Sequence, residues 1–396
     1  MATTAKKNIP ALRFPQFMGE WEEKRLGDVV TIRSGNSPDK YNLDITGIHP
    51  YLKVEDLNNN DKYQMSSRQY SDSSEKLIDV QSIIFPKRGA AIMTNKVRIN
   101  EVPVLLDSNL MAIKPSSNII YSEFLYYWIW NKKLYEIADT STIPQINNKH
   151  ISPLLIQLPD SKEQTKIALS LSSIDERLQQ LQQQQSLLEQ YKNGCMQQLF
   201  SQKLRFKNDK GKAYPEWKEV PGGDAFENIS NKKHNSDLPI LAITQEFGAI
   251  PRDLIDYNVL VSEKSVESYK VVEVGDFIIS LRSFQGGIEY SNYKGICSPA
   301  YIILRPSVEV DRGFFKYYFK TSTYIKRLTK KLEGIRDGKM ISYGYFSEVL
   351  LPLPSVEEQT KIANFLSAID EQINTVKQQI AQTQQFKKGL LQQMFV

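Results

Sequence analysis

The sequence predicts an α+β protein: two mixed α/β domains separated by two long antiparallel coiled-coil helices, with a pseudo-two-fold internal repeat. Three observations predict it. Residues 163–176 read EQTKIALSLSSIDE, and residues 358–371 read EQTKIANFLSAIDE. The repeat runs on without a gap, since Gln190, Lys192, Gly194, Gln197, Gln198 and Phe200 return as Gln385, Lys387, Gly389, Gln392, Gln393 and Phe395. The text between the copies is different, with short apolar runs broken by Gly, Pro and Asn, which are strand and turn signals. A repeat of this kind constrains architecture before any local reading does.

Each half opens on a related lead-in. LRFPQFMGEWEEKRLGD at residues 12–28 is answered by LRFKNDKGKAYPEWKEVPGGD at residues 204–224, with Trp21 and Trp217 each shortly before a Gly-Asp pair. A β-rich stretch follows in each, VQSIIFPKRGAAIMTNKV in the first and VGDFIISLRSFQGGIEYSNYKGICSPAYIILRP in the second. Next come the aromatic helical segments Phe124–Trp128 and Phe315–Phe319. Aromatic clusters can stack bases, but helical spacing at equivalent places in both halves points to core packing. Each half then returns through a polar loop and an apolar, proline-bounded stretch, Pro153–Pro159 or Leu350–Pro354, into its long helix. The resulting division is a first domain at 1–158, a first spacer helix at 159–200, a second domain at 201–353 and a second spacer helix at 354–396.

The long helices carry apolar residues on a 4,3 spacing: Ile167, Leu171, Ile174, Leu178, Leu181 and Leu188 in the first. Ile362, Leu366, Ile369, Ile373, Val376 and Ile380 do the same in the second. A stripe every 3.5 residues is a seam that seeks a partner helix, and two copies in one chain are expected to pair with each other. Neither has an internal proline, so each is expected to run about 38 residues, roughly 57 Å at 1.5 Å per residue. Residues 161–200 and 355–396 each balance four basic against four acidic side chains. The formal charge of +5, from 50 Lys and Arg against 45 Asp and Glu, therefore lies outside the helices. A neutral, Gln-rich rod suits packing against protein better than gripping phosphates.

Two stretches concentrate the positive charge. Residues 84–100 hold Lys87, Arg88, Lys96 and Arg98 without an acid, and residues 316–341 hold eight basic residues against two acids. Such runs are usually solvated faces, but they also fit phosphate neutralisation, and loop Arg, Asn and Gln can make bidentate contacts to base edges. The candidate nucleic-acid contacts are Lys87, Arg88, Asn95, Lys96 and Arg98 in the first half, with Thr142, Gln145, Asn147, Asn148 and Lys149 from the polar return loop. In the second half they are Arg282, Ser283, Gln285, Arg336 and Lys339.

No catalytic constellation assembles. Ser298-Pro299-Ala300-Tyr301 approaches an amino-methyltransferase motif but lacks the second proline and a glycine-rich partner loop. Asp160, Glu163 and Lys166 fall at the start of a helix with the wrong spacing for a metal-dependent nuclease, and His49, His150 and His234 are scattered. No Walker-type loop is present. Cys195 and Cys297 match no metal-ligand spacing and read as reduced thiols. No run approaches a membrane span and the first residues lack a signal peptide's apolar stretch, so a cytoplasmic protein is expected. The composition, 41% hydrophobic and 24% charged, is that of a folded chain rather than a disordered one.

The doubled EQTKIA…LS…IDE helices after LPLP-like returns, with the LRFP…GEW and YPEW lead-ins, resemble the specificity subunit of type I restriction–modification systems over the whole chain. The resemblance implies two target recognition domains, each reading half of a bipartite double-stranded DNA site, with the paired helices as spacer. It implies no catalysis and no bound cofactor or metal in this chain. Two methyltransferase subunits using S-adenosylmethionine would dock on it, with motor-nuclease subunits using ATP and Mg2+. The competing reading is a stand-alone, repressor-like two-domain DNA-binding protein.

Overall fold

The computed structural model describes residues 9–59, 62–235, 237–255, 266–330 and 341–396. Two helices dominate it, Ser161–Phe200 and Val356–Met394, of 40 and 39 residues. The chain divides into two compact units, Met1–Gln182 with Gln379–Val396, and Gln183–Gln378. Compactness thus cuts through both long helices rather than at their ends.

Among its described residues the first unit holds ten strands: β1 (Glu22–Arg25), β2 (Val30–Ser34), β3 (His49–Leu52), β4 (Tyr63–Gln64), β5 (Tyr70–Ser71), β6 (Ile83–Pro86), β7 (Arg98–Asn100), β8 (Leu105–Leu106), β9 (Leu110–Pro115) and β10 (Leu155–Leu158). Its main sheet has the order β2-β9-β6-β7-β4, flanked by β5-β3-β8 and the pair β1-β10. The second unit holds β11 (Lys218–Pro221), β12 (Phe226–Ile229), β13 (Leu241–Thr244), β14 (Gly248–Pro251), β15 (Lys270–Val272), β16 (Phe277–Ile279), β17 (Glu289–Tyr290), β18 (Gly295–Cys297), β19 (Ile302–Pro306) and β20 (Leu350–Leu353). Its main sheet, β12-β19-β16-β17, repeats the order β2-β9-β6-β7, and β11-β20 repeats β1-β10. In each unit the lead-in turns at a glycine packed on a serine of the return. A Cβ on Gly27 would meet Ser152 at 2.8 Å, and one on Gly223 would meet Ser347 at 2.8 Å.

The aromatic helices are core, as their spacing predicts. Phe124, Tyr127 and Trp128 are buried with Ile83, Phe85, Met111 and Ile113 of the first sheet. In the second unit Phe226, Phe277, Phe314, Phe315 and Phe319 form the equivalent cluster. Rings meet there edge to face, as in Phe226 on Phe315 at 5.0 Å and 86°, the arrangement that ring quadrupoles favour.

Three polar residues of the repeated motif keep equivalent partners in both halves. Its glutamate is fully buried under an arginine of the lead-in: Arg13 Nε and Nη2 each donate to Glu163 at 2.7 Å, and Arg205 does so to Glu358 at 3.1 and 2.9 Å. The glutamine that follows caps the aromatic helix: Gln164 Oε1 accepts from the Tyr121 N–H at 2.8 Å, and Gln359 Oε1 from the Asp311 N–H at 2.9 Å. The aspartate of IDE collects a lysine and a tyrosine. Asp175 takes Lys387 at 2.5 Å and Tyr127 Oη at 2.6 Å within the first unit. Asp370 takes Lys192 at 2.6 Å and Tyr317 Oη at 2.7 Å within the second.

Within each unit the two helix segments run antiparallel. In the first, Lys387 meets Asp175 while Leu391 and Met394 join the cluster of Ile167 and Leu171. In the second, Lys192 meets Asp370 while Met196 and Leu199 join Ile362 and Leu366. Of the predicted seam, Ile167, Leu171, Leu181, Ile362, Leu366, Ile369, Ile373 and Val376 are buried, and Ile174, Leu178, Leu188 and Ile380 are half-buried. The apolar face is wider than a two-helix seam at each N-terminal half. Gln164, Ala168, Gln359 and Ala363 are also buried, because those turns serve the domain core as well as a partner helix.

Candidate nucleic-acid interface

The central strand β6 ends at Pro86, and the chain leaves the sheet through Lys87 and Arg88. The polar return loop closes on this exit. The Gly89 N–H donates to the Pro144 carbonyl and the Ile146 N–H to the Lys87 carbonyl, both at 2.8 Å, so Arg88 lies directly opposite Gln145. Gln145 in turn exchanges both backbone hydrogen bonds with Asp139, at 3.0 Å each. Two stretches singled out separately in the sequence are thereby brought together. Arg88, Thr142, Gln145, Asn148 and Lys149 are exposed there. Lys87 is half-buried, and burial pulls its pKa down, opposed in part by the nearby Asp107 carboxylate.

Other candidates belong to the scaffold. Arg98 is 8% exposed, and its guanidinium donates to the carbonyls of Val97 (2.7 Å), Leu57 (2.8 Å) and Asn59, so its donors stitch β7 to the preceding turn. Asn95 adopts the left-handed conformation at φ 49° and spends both ends of its amide internally. Its Nδ2 donates to the Trp130 carbonyl at 2.9 Å, and its Oδ1 accepts from the Leu134 N–H at 2.8 Å. Lys96 is half-buried with its ammonium on Asn58, and Asn147 is half-buried at the start of the short helix Asn148–Ile151, its backbone carbonyl accepting from the His150 N–H at 2.8 Å. The side chains of Arg98, Asn95 and Lys96 hold loops in place.

In the second unit, β16 ends at Ile279, and the chain exits through Ser280, Leu281 and Arg282 into the short helix Ser283–Gly286. Arg282 and Gln285 are exposed. Ser283 is buried, and its Oγ accepts from the Ser280 N–H at 2.9 Å, which makes it a turn-former. Arg336 and Lys339 lie outside the described residues. Sequence reasoning missed Gln245, which sits in the turn between β13 and β14 and places its Nε2 3.4 Å from the Arg282 carbonyl. The missing signal was the hairpin, turned at Gly248 with φ +70° between two short strands.

Ser298–Tyr301 and Asp160, weighed for catalysis in the sequence, have structural roles. Ser298–Tyr301 is a turn, with the Tyr301 N–H on the Ser298 carbonyl at 3.1 Å. Asp160 caps the first long helix through the Glu163 N–H at 2.9 Å. Among the described residues no group of three or more His, Cys, Asp or Glu is placed to hold a metal, and no helix is long and apolar enough to cross a membrane.

These features define a class: a repeated α+β scaffold on long helices that presents one loop position twice, with different neighbours. The chain belongs to the family described as the type I restriction modification DNA specificity domain, which matches it twice, over residues 18–190 and 215–385. It is 25% identical over 414 residues to the type I restriction enzyme MjaVIII specificity subunit of Methanocaldococcus jannaschii, covering 97% of this chain and 93% of that one. Its fold is similar to the type I restriction–modification S subunit from M. genitalium, with a TM-score of 0.58 at 17% identity over 98% and 99% of the two chains. A chain solved to explain complex assembly and conformational transition of a type I R-M system gives a TM-score of 0.58 at 19% identity, over 94% and 96%.

Proposed function

We propose that this chain is the non-catalytic DNA-recognition subunit of a type I restriction–modification complex. Each unit reads one half of a bipartite target in double-stranded DNA, and the paired long helices set the spacing of the halves. Two methyltransferase subunits dock on those helices, and motor-nuclease subunits complete the assembly. S-adenosylmethionine, ATP and Mg2+ are cofactors of these partners, and the complex works in the cytoplasm. The observation that carries this reading is the double family match, one copy on each half of the chain. The neutral helices support it, since they leave the positive charge to the loop-bearing parts.

Mapping methylated adenines in cells with and without this chain tests the proposal. A bipartite motif that vanishes on deletion and returns on complementation is expected, together with co-purification of a methyltransferase. A stable monomer that binds its site without that partner would instead establish the repressor-like alternative.

A further inference from the structure

The sheet registers align the two units residue by residue. In the first, β9 ends with Pro115 opposite Val30, and Ile113 faces Ile83. In the second, β19 ends with Pro306 opposite Phe226, and Leu304 faces Phe277. Ile83 and Phe277 therefore hold the same place, each opposite the residue two before the terminal proline. Counting forward along the chain, Arg88 and Arg282 also hold the same place, just beyond the end of the central strand. Both are exposed, although the residues around them differ.

Each arginine meets a glutamine delivered from elsewhere in its unit. Gln145 lies directly opposite Arg88 across an antiparallel bridge, and side chains so opposed project from one face about 5 Å apart. Gln245 reaches the Arg282 backbone, and a Cβ on Gly286 would strike its side-chain carbon Cδ at 2.5 Å, so the loop is shaped to let it pass. Both glutamines are exposed. An acid neighbours each glutamine: Asp139 is paired through its backbone to Gln145, with its carboxylate accepting from the Ser141 N–H at 3.0 Å, and Glu246 is exposed and follows Gln245 in the chain. A carboxylate repels phosphate but accepts a hydrogen bond from a base amino group, so these clusters suit base edges better than the DNA backbone.

We propose that Arg88 with Gln145, and Arg282 with Gln245, are base-reading pairs. The arginine takes the O6/N7 edge of a guanine, and the glutamine takes the N6/N7 edge of an adenine, in the major groove of the half-site its own unit reads. The geometry of these edges matches a guanidinium fork and a primary amide respectively. This rests on the DNA-recognition reading above. Asn95 in the first unit and Lys320 in the second are the positioning residues. Asn95 ties the loop after Arg88 to the end of the aromatic helix, and Lys320 ties the Gly286 carbonyl, at 3.0 Å, to the equivalent place.

The test is methylome sequencing with the chain assembled with its methyltransferase, comparing Arg88→Ala, Arg88→Lys, Gln145→Ala, Arg282→Ala and Gln245→Ala with the unaltered chain. Arg88→Ala and Gln145→Ala should each relax one position of one half-site, about 10-fold in preference, and leave the other half-site intact. Arg282→Ala and Gln245→Ala should do the reverse. Arg88→Lys keeps the charge but loses the fork, so it should relax the same position as Arg88→Ala. Rescue by lysine, or an equal loss on matched and mismatched sites, would identify phosphate anchors and overturn the pairs while leaving DNA recognition standing. A motif that does not depend on this chain at all would overturn the recognition reading and the pairs with it.

Discussion

Glu289 is a carboxylate 2% exposed, with Oε1 2.5 Å from Lys320 Nζ and Oε2 buried without a hydrogen-bond partner. Burial outweighs the lysine, and the Glu289 pKa is raised above the ordinary carboxylate range. The native state then holds this proton more tightly than the unfolded chain does. Its contribution is most favourable below the unfolded pKa and is lost as pH rises through the folded one. Urea unfolding of the second unit, read by Trp217, should therefore show a decline in stability from about pH 4.5 upward that Glu289→Gln removes. An unchanged slope in the variant would assign the decline to another group. Trp217 suits the measurement because it is the one tryptophan between residues 183 and 378. It also donates to Glu358 at 3.0 Å, beside the Arg205 ion pair. Arg205→Ala leaves the Glu358 carboxylate buried and short of its cation, at a cost of about 3 kcal/mol, the low end for a buried pair because the Arg205 side chain is partly exposed. Adding Glu358→Gln should recover part of that loss.

The long helices each contain a glycine at the same repeat position, Gly194 and Gly389, where an added Cβ would meet nothing within 4 Å. Glycine inside a helix costs roughly 1 kcal/mol against alanine, because the unfolded chain gains conformational freedom. Gly194→Ala and Gly389→Ala should therefore each raise the thermal midpoint of the isolated chain, and a lowered midpoint in either would show the site to be closed. The helices themselves were legible in the sequence, because a 3.5-residue period reports one face along one element. The burial of Gln164 and Gln359 was not. A glutamine on an apolar face is unfavourable until another segment supplies partners, and here the backbone N–H groups of Tyr121 and Asp311, at the start of each aromatic helix, do so.

On the proposed function, the long helices act as a ruler. Inserting one helical turn after Gln179 adds about 5.4 Å of helix, one to two base pairs' rise. Methylome sequencing should then show a longer gap between unchanged half-sites; an unchanged gap in a folded variant would refute the ruler. The sequence by itself determined the duplication, the two helices, the aromatic cores and the family, because repetition and periodicity are carried by residues close together in the chain. It also marked Arg88 and Arg282, though without showing that they hold one place. Only the tertiary structure decided that Asn95, Arg98 and Ser283 belong to the scaffold, that Gln145 faces Arg88 and that Gln245 reaches Arg282. Those decisions depend on which strands pair and where a return loop lands. Such long-range contacts are set by sheet register and core packing, and they leave no local pattern for composition or spacing to reveal.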